Sequence, residues 1–247
     1  MSGSVDGAAD VARAAADIIL LEHDLSVVNQ AVAAGRGTVQ NVSKYVLMGS
    51  SSNFGNMFSM AGAALFLPFL PMLPIQILLN NLLYDVSEIA IPFDRVDPEA
   101  VARPVRWDVR LIERFMLVFG PVSSVFDFIT FYALLHLFGA GAALFQTGWF
   151  IESMTTQVLV VFCIRTQRLF FQSRPHRFLV GMAFGAVAVA ILLPLSPAGT
   201  WFGFVAPSPL YFAYLAVATV AYLALVEIIK RLFYRRVLRG QSKIGSA

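Results

Sequence analysis

Between Lys44 and Asp85 the chain carries no Lys, Arg, Asp or Glu. Pro68, Pro71 and Pro74 interrupt this run near its middle. The pattern predicts two apolar helices folded as a hairpin, each of ~20 residues, the length that crosses ~30 Å of hydrocarbon. Four more apolar runs follow. The six predicted spans are Tyr45–Leu67, Met72–Ile91, Ile112–Leu137, Trp149–Ile164, Phe178–Leu195 and Tyr211–Ile229. The fourth is short and carries Glu152, Thr155, Thr156 and Gln157.

Upstream of the hairpin the period changes. Val28, Val32, Val39, Val42 and Val46 recur at helical spacing, which predicts an amphipathic helix from Leu25 to about Tyr45. Arg36 and Lys44 keep it aqueous, and Gly35 and Gly37 weaken it. This helix reads as a stalk running into the first span. Ahead of it, Asp10–Ala16 is a short Ala-rich helix with Asp10 as its N-cap. Asp17–Leu21 reads as a buried strand. So few residues cannot bury a core alone, and the segment reads as the end of a domain whose body lies elsewhere.

Composition agrees with the pattern. The 247 residues are 58% hydrophobic and 13% charged, with a mean hydropathy of +0.72. A soluble domain is about a quarter charged, so the expected fold class is an all-α membrane protein. Its six transmembrane helices form three hairpins, preceded by a cytoplasmic stalk. The net charge is +3, but the basic residues fall in short segments between spans, which argues against nucleic acid as a partner. Arg95, Arg103, Arg106 and Arg110 form one segment; Arg165, Arg168, Arg174 and Arg177 a second; Lys230, Arg231, Arg235, Arg236, Arg239 and Lys243 a third. The intervening loops carry no Lys or Arg. The positive-inside rule places both termini and the loop Pro92–Leu111 in the cytoplasm. A single cysteine, Cys163, has no partner for a disulfide or a Cys-x-x-Cys metal site.

The hairpin carries the candidate chemistry. Asn81, Asp85 and Glu88 lie at i, i+4 and i+7 and share one helix face. Asn53 and Asn56 lie at i, i+3 on the facing helix, and Gly55, Ala61 and Gly62 allow close approach. Carboxamides and a carboxylate at membrane depth are costly and mark an ion or substrate pathway. Oxygen ligands suit a hard divalent cation, and Mg²⁺ keeps part of its water. Membrane amides also serve as packing contacts between helices, and for Asn53 and Asn80 the two readings balance. Glu88 lies near the cytoplasmic end, where solvent can reach it. Asp127 is read as pairing with a span-end Arg or capping a kink. Glu152 is read as a solvated interface acid or a supporting ligand, beside Trp149 as an interfacial belt residue. His136 is interfacial, and Arg165 and Arg168 are membrane-edge anchors. The chain has no Gly-rich phosphate loop, no Ser/His/Asp arrangement and no His/Cys cluster.

Several stretches together resemble P-type cation-transporting ATPases. Val5-Asp6-Gly7-Ala8-Ala9-Asp10-Val11-Ala12-Arg13-Ala14-Ala15-Ala16-Asp17-Ile18-Ile19-Leu20-Leu21-Glu22 is similar to the last segment of that family's phosphorylation domain. Ser51-Ser52-Asn53-Phe54-Gly55-Asn56, Pro68-Phe69-Leu70-Pro71, Asn81-Leu82-Leu83-Tyr84-Asp85 and Gly148-Trp149-Phe150-Ile151-Glu152 follow in family order. The fit is nearest to the bacterial magnesium-translocating branch. The resemblance implies a remnant of an α/β phosphorylation domain at 1–25, a stalk helix at 26–44, a transmembrane domain at 45–233 equivalent to helices five to ten of a ten-helix pump, and a basic cytoplasmic tail at 234–247. It puts Asp85 and Asn56 at cation-coordinating positions, with Asn53 and Asn81 near them. It implies Mg²⁺ as the transported ion, ATP acting only through an N-terminal portion, and the bacterial inner membrane as the location. The phosphorylated Asp of the DKTGT motif, the nucleotide domain and helices one to four are missing from this sequence. The expectation is therefore that this chain alone neither hydrolyses ATP nor pumps, and that its partners are the bilayer and the N-terminal half. A stand-alone six-helix channel or carrier, and a non-catalytic subunit of a split pump, are the alternatives.

Overall fold

The computed structural model describes residues 2–21, 24–102 and 108–244. Glu22, Arg103, Arg106 and residues 245–247 of the tail, all used in the sequence reading, lie outside the described residues. The chain opens with two short parallel strands, β1 (Gly3–Val5) and β2 (Ile18–Leu20), paired Gly3 to Ile18 and Val5 to Leu20. Helix α1 (Asp10–Ala14) connects them. Its N-cap is Ala9, so Asp10 is the first helical residue rather than the cap, where its charge complements the helix dipole. The expected strand is present but not buried. Ile18 and Ile19 are 47% and 40% exposed, because two strands and one turn of helix offer too little surface to cover them.

Helix α2 (Leu25–Ala63) is continuous for 39 residues, about 58 Å at 1.5 Å per residue. Asp24 caps it by accepting the Ser26 N–H at 2.8 Å. Gly35 and Gly37 do not break it. The chain then turns through its prolines into α3 (Pro74–Glu88), with Pro74 in the first turn, where its missing N–H costs nothing. Gln76 fixes this entry: its Oε1 accepts the Leu73 N–H and its Nε2 donates to the Phe202 carbonyl at 2.9 Å. A short 3₁₀ turn (Ile91–Phe93) and α4 (Pro98–Val101) lead to α5 (Val109–Tyr132), which ends in a π turn at Ala133–Leu137.

The fourth apolar segment forms α6 (Ala142–Leu159) and α7 (Val161–Ile164). It starts seven residues before the expected Trp149, because Gln146 and Thr147, polar enough to read as loop, lie inside the helix. Every residue of α6 from Phe145 to Val158 is buried. It is the central helix, and burial on all sides explains its weak amphipathic pattern. Helices α8 (Arg177–Leu195) and α9 (Pro209–Ile244) complete the molecule, separated by a 3₁₀ segment, Pro197–Phe202. Among the described residues four helical stretches are long and apolar enough to cross a membrane: Val109–Leu137, Ala142–Ile164, Arg177–Leu195 and Pro209–Arg235.

Helix α2 meets α5 at glycine. A Cβ on Gly55 would lie 3.1 Å from the Gly120 carbonyl oxygen, and one on Gly120 would lie 2.6 Å from Phe54 Cδ1. Ser124 donates across the same crossing to the Gly55 carbonyl at 3.0 Å. Small residues thus let two backbones approach to hydrogen-bonding range.

Outside the apolar region, Asp94 joins three parts of the chain. Its side chain is fully buried. Oδ2 accepts Lys44 Nζ from α2 at 2.9 Å and Arg165 Nε, just past α7, at 2.8 Å. Oδ1 accepts the His176 N–H, at the start of α8, at 3.2 Å. Asn41 of α2 donates to the Pro92 and Asp94 carbonyls. Burial pushes the Asp94 carboxyl up, but Arg165 and Lys44 outweigh it and hold the group below the usual carboxylate range. Arg165 is therefore not the surface anchor the sequence suggested. It is 4% exposed and also donates to the Ser173 and Arg174 carbonyls. Arg168, which pairs with Glu99 at the surface, is more exposed.

Candidate cation site

The polar residues singled out in the sequence divide into three environments. Asn53, Asn56 and Asn81 line one cavity of 460 Å³ together with Asn80, Ser153 and Trp149. Asn53 on α2 and Asn81 on α3 are exposed, Asn56 is half-buried and Asn80 is buried. The helical spacing does this work. Asn80 and Tyr84 turn into the bundle, while Asn81 and Asp85, one position on, face outward. Asp85 does not line the cavity. It sits one turn beyond Asn81 on the same exposed face.

Glu88 is elsewhere. It is 4% exposed, packed beside Tyr84, and its Oε1 has no hydrogen-bond partner. Solvent therefore does not reach it, contrary to the sequence reading, because α3 turns its last residues toward α2: Gly49 lies against the Glu88 carboxylate. Tyr84 in turn donates to Ser52 Oγ at 3.1 Å.

Glu152 and Asp127 form a third environment. Glu152 is 1% and Asp127 2% exposed. Asp127 accepts Ser59 Oγ at 2.5 Å and Trp149 Nε1 at 2.9 Å, and the Glu152 carboxyl lies near it. This corrects three expectations. Glu152 is not at a solvated interface, Asp127 pairs with no arginine, and Trp149 is a buried donor instead of a belt residue. All three follow from α6 lying at the centre of the bundle. Trp149 both walls the amide cavity and holds Asp127.

Sequence reasoning missed Ser153 and Gln157. Asn56 Oδ1 accepts Gln157 Nε2 at 2.6 Å and Ser153 Oγ at 3.4 Å, and Gln157 also donates to Ser153. The signal was available: two polar residues at i, i+4 in a buried apolar helix share a face. These bonds hold Asn56 Oδ1 against α6.

The cavity thus offers neutral oxygen donors, with a carboxylate one turn away. Among the described residues no three His, Cys, Asp or Glu side chains converge as a metal-binding group. Amide and hydroxyl oxygens can hold a hard cation that retains part of its hydration shell. A bundle of helices long and apolar enough to cross a membrane is the build of a membrane domain. Residues 69–232 match the family model for the C-terminus of cation transporting ATPases, and the chain belongs to that family. It is 47% identical over 238 residues to the magnesium-transporting ATPase, P-type 1, of Salmonella typhimurium strain LT2, covering 94% of this chain and 26% of that protein. The protein of the same description from Escherichia coli K12 is 46% identical over the same shares. The calcium-transporting ATPase of Bacillus subtilis strain 168 is 29% identical over 199 residues, 75% of this chain and 21% of its own length. The chain therefore spans about a quarter of the length of the curated relatives it matches.

Proposed function

We propose that the chain is the C-terminal transmembrane part of an ATP-driven magnesium importer of the bacterial inner membrane. In this reading it contributes the cation-binding hairpin, with Asn56 and Asp85 as ligands and Asn53 and Asn81 beside them. Glu88 and Glu152, each buried against other side chains, are the less direct contributors. The observation that carries the proposal is the open seam. Asn53, Asn81 and Asp85 stand exposed among exposed apolar side chains such as Met57, Leu78 and Leu82. Polar groups do not face lipid unpaired, so this face suits further helices supplied by an N-terminal half, which would also bring the nucleotide and phosphorylation machinery. The name of the 46–47% identical relatives supports Mg²⁺ as the ion.

The same reading takes the C-terminal half of α2 and all of α3 as two further membrane crossings, giving six. Helix α3, at 15 residues, reaches only about 22 Å, and the proline-rich turn ahead of it supplies the remaining depth. The first half of α2 is then the stalk, and both termini lie in the cytoplasm with the Arg- and Lys-bearing segments.

The test is complementation. Co-expressed with the N-terminal portion of the Escherichia coli relative, the chain restores Mg²⁺-stimulated ATP hydrolysis and Mg²⁺ uptake. Asp85→Asn reduces both by at least about a hundredfold, the scale of losing one charged ligand. Unchanged uptake by the Asp85 variant would remove that residue from the site. The chain alone in vesicles passes no Mg²⁺, whereas a stand-alone channel or carrier would.

A further inference from the structure

A second cavity, unrelated to the amide seam, opens between α7, α8 and the middle of α9. It has a volume of 770 Å³ and is walled by Phe162, Phe184, Val220 and Leu223, with Glu227 and Arg231 at one end. Its walls belong to helices long and apolar enough to cross a membrane. Glu227 lies 18 residues beyond Pro209, the first residue of α9, or about 27 Å along it, where ~30 Å of hydrocarbon gives way to headgroups. The apolar part of the cavity therefore sits at acyl-chain depth and its charged end at headgroup depth.

The charged end is unfinished. Glu227 is 7% exposed. Its Oε2 accepts Lys230 Nζ at 2.8 Å, but its Oε1 is buried without a hydrogen-bond donor. Arg231 Nε stands 3.8 Å from that oxygen, beyond hydrogen-bond range, and its side chain is 49% exposed at the mouth. Arg165, the other cation on the lining, is committed to Asp94 and Ser173. The cavity thus pairs a buried acceptor that lacks a donor with a half-exposed guanidinium beside it. We propose that the groove between α7, α8 and α9 binds one aminophospholipid. An acyl chain lies along Phe162, Phe184 and Val220, the phosphate meets Arg231, and the primary ammonium donates to Glu227 Oε1.

The chemistry distinguishes lipid classes. A trimethylated choline headgroup has no N–H to give to Glu227, and a glycerol headgroup brings no positive charge to it. An ethanolamine headgroup places ammonium and phosphate two carbons apart, matching adjacent acidic and basic side chains one helical turn apart on α9. The proposal stands independently of which ion the amide cavity takes.

The chain is purified, reconstituted in vesicles of equal parts phosphatidylethanolamine, phosphatidylglycerol and phosphatidylcholine, and re-extracted for native mass spectrometry. One phosphatidylethanolamine is expected to be retained per chain, favoured over each of the others by about tenfold, as one charged hydrogen bond provides. Glu227→Gln removes the preference for ethanolamine over glycerol, and Arg231→Ala lowers retention of all three classes. Val220→Trp, at a position 68% exposed, fills the groove and abolishes retention without touching either ion pair. Helix content by circular dichroism confirms that each variant is folded. Equal retention of the three lipids by the parent chain, a preference for the glycerol or choline class, or lipid still held by Val220→Trp each overturns the proposal.

Discussion

Ser59 holds the buried acid pair on the α2 side. Its hydroxyl gives Asp127 a hydrogen bond at 2.5 Å in a region sealed from water. Ser59→Ala leaves Asp127 with one donor fewer, and should destabilise the chain by about 1–3 kcal/mol. A lowered midpoint in thermal unfolding in detergent checks this; Ser43→Ala, whose hydroxyl bonds only the Val39 carbonyl of its own helix, serves as the control. At this scale the sequence was half legible. Residue type and helical spacing were enough to pick out Asn53, Asn56 and Asn81, and the structure lines one cavity with them. The partners of those residues were not legible. That Gln157 holds Asn56, or that Glu152 lies near Asp127, depends on how α6 is rotated against its neighbours: spacing puts Ser153 and Gln157 on one face, but in a helix buried on every side it does not say which neighbour that face meets.

Helices α2 and α5 cross at a pair of glycines. Gly55 and Gly120 face each other where any side chain would meet backbone or the Phe54 ring. Gly55→Leu should force the two apart and cost about 1–3 kcal/mol or more by overpacking. It should also disturb Asn56, one residue on, so that Mg²⁺-stimulated hydrolysis in the complemented pump falls together with stability. Gly35→Leu, where a Cβ meets nothing within 4 Å, should do neither. The helices themselves were largely readable, because long apolar runs specify helix and little else. The fourth span was expected to begin at Trp149, but the helix begins at Ala142 and takes in Gln146 and Thr147, Gln146 donating to the Leu70 carbonyl and Thr147 to the Ala143 carbonyl. The strand Gly3–Val5 was not foreseen, since Gly and Ser carry no β signal and only pairing with β2 defines it.

Across the whole molecule, Asp94 ties α2 to the segment around α7 and α8 through groups from three separate stretches. Asp94→Ala strands Arg165 and Lys44 and should cost about 3–5 kcal/mol. The pH dependence has a definite sign. The Asp94 carboxyl sits below its ordinary value, so its contribution is complete above about pH 4. It is lost as the pH falls through the lowered value. Unfolding free energies of parent and Asp94→Asn should therefore differ at neutral pH and converge in strong acid. A constant gap would mean that the aspartate's charge is not what matters. The loop's basic residues carry an expectation about which side of the membrane it faces. Nothing in them predicted a buried junction, because Asp94 finds its partners 50 to 82 positions away.

That junction has a mechanical consequence. Lys44 is held fast at Asp94 near the midpoint of a continuous helix running from Leu25 to Ala63. From Lys44 back to Leu25 is about 28 Å and forward to Asn53 about 13 Å. The helix is a beam on a fulcrum. If the helix pivots there as a rigid rod, a sideways push at its first turn arrives at Asn53 reversed in direction, about half as large and about twice as forceful. Spin labels at Gln30 and Met57, each measured against a label on α5, should move in opposite senses in the parent chain. With Asp94 replaced by Ala they should move in the same sense, the beam having lost its support.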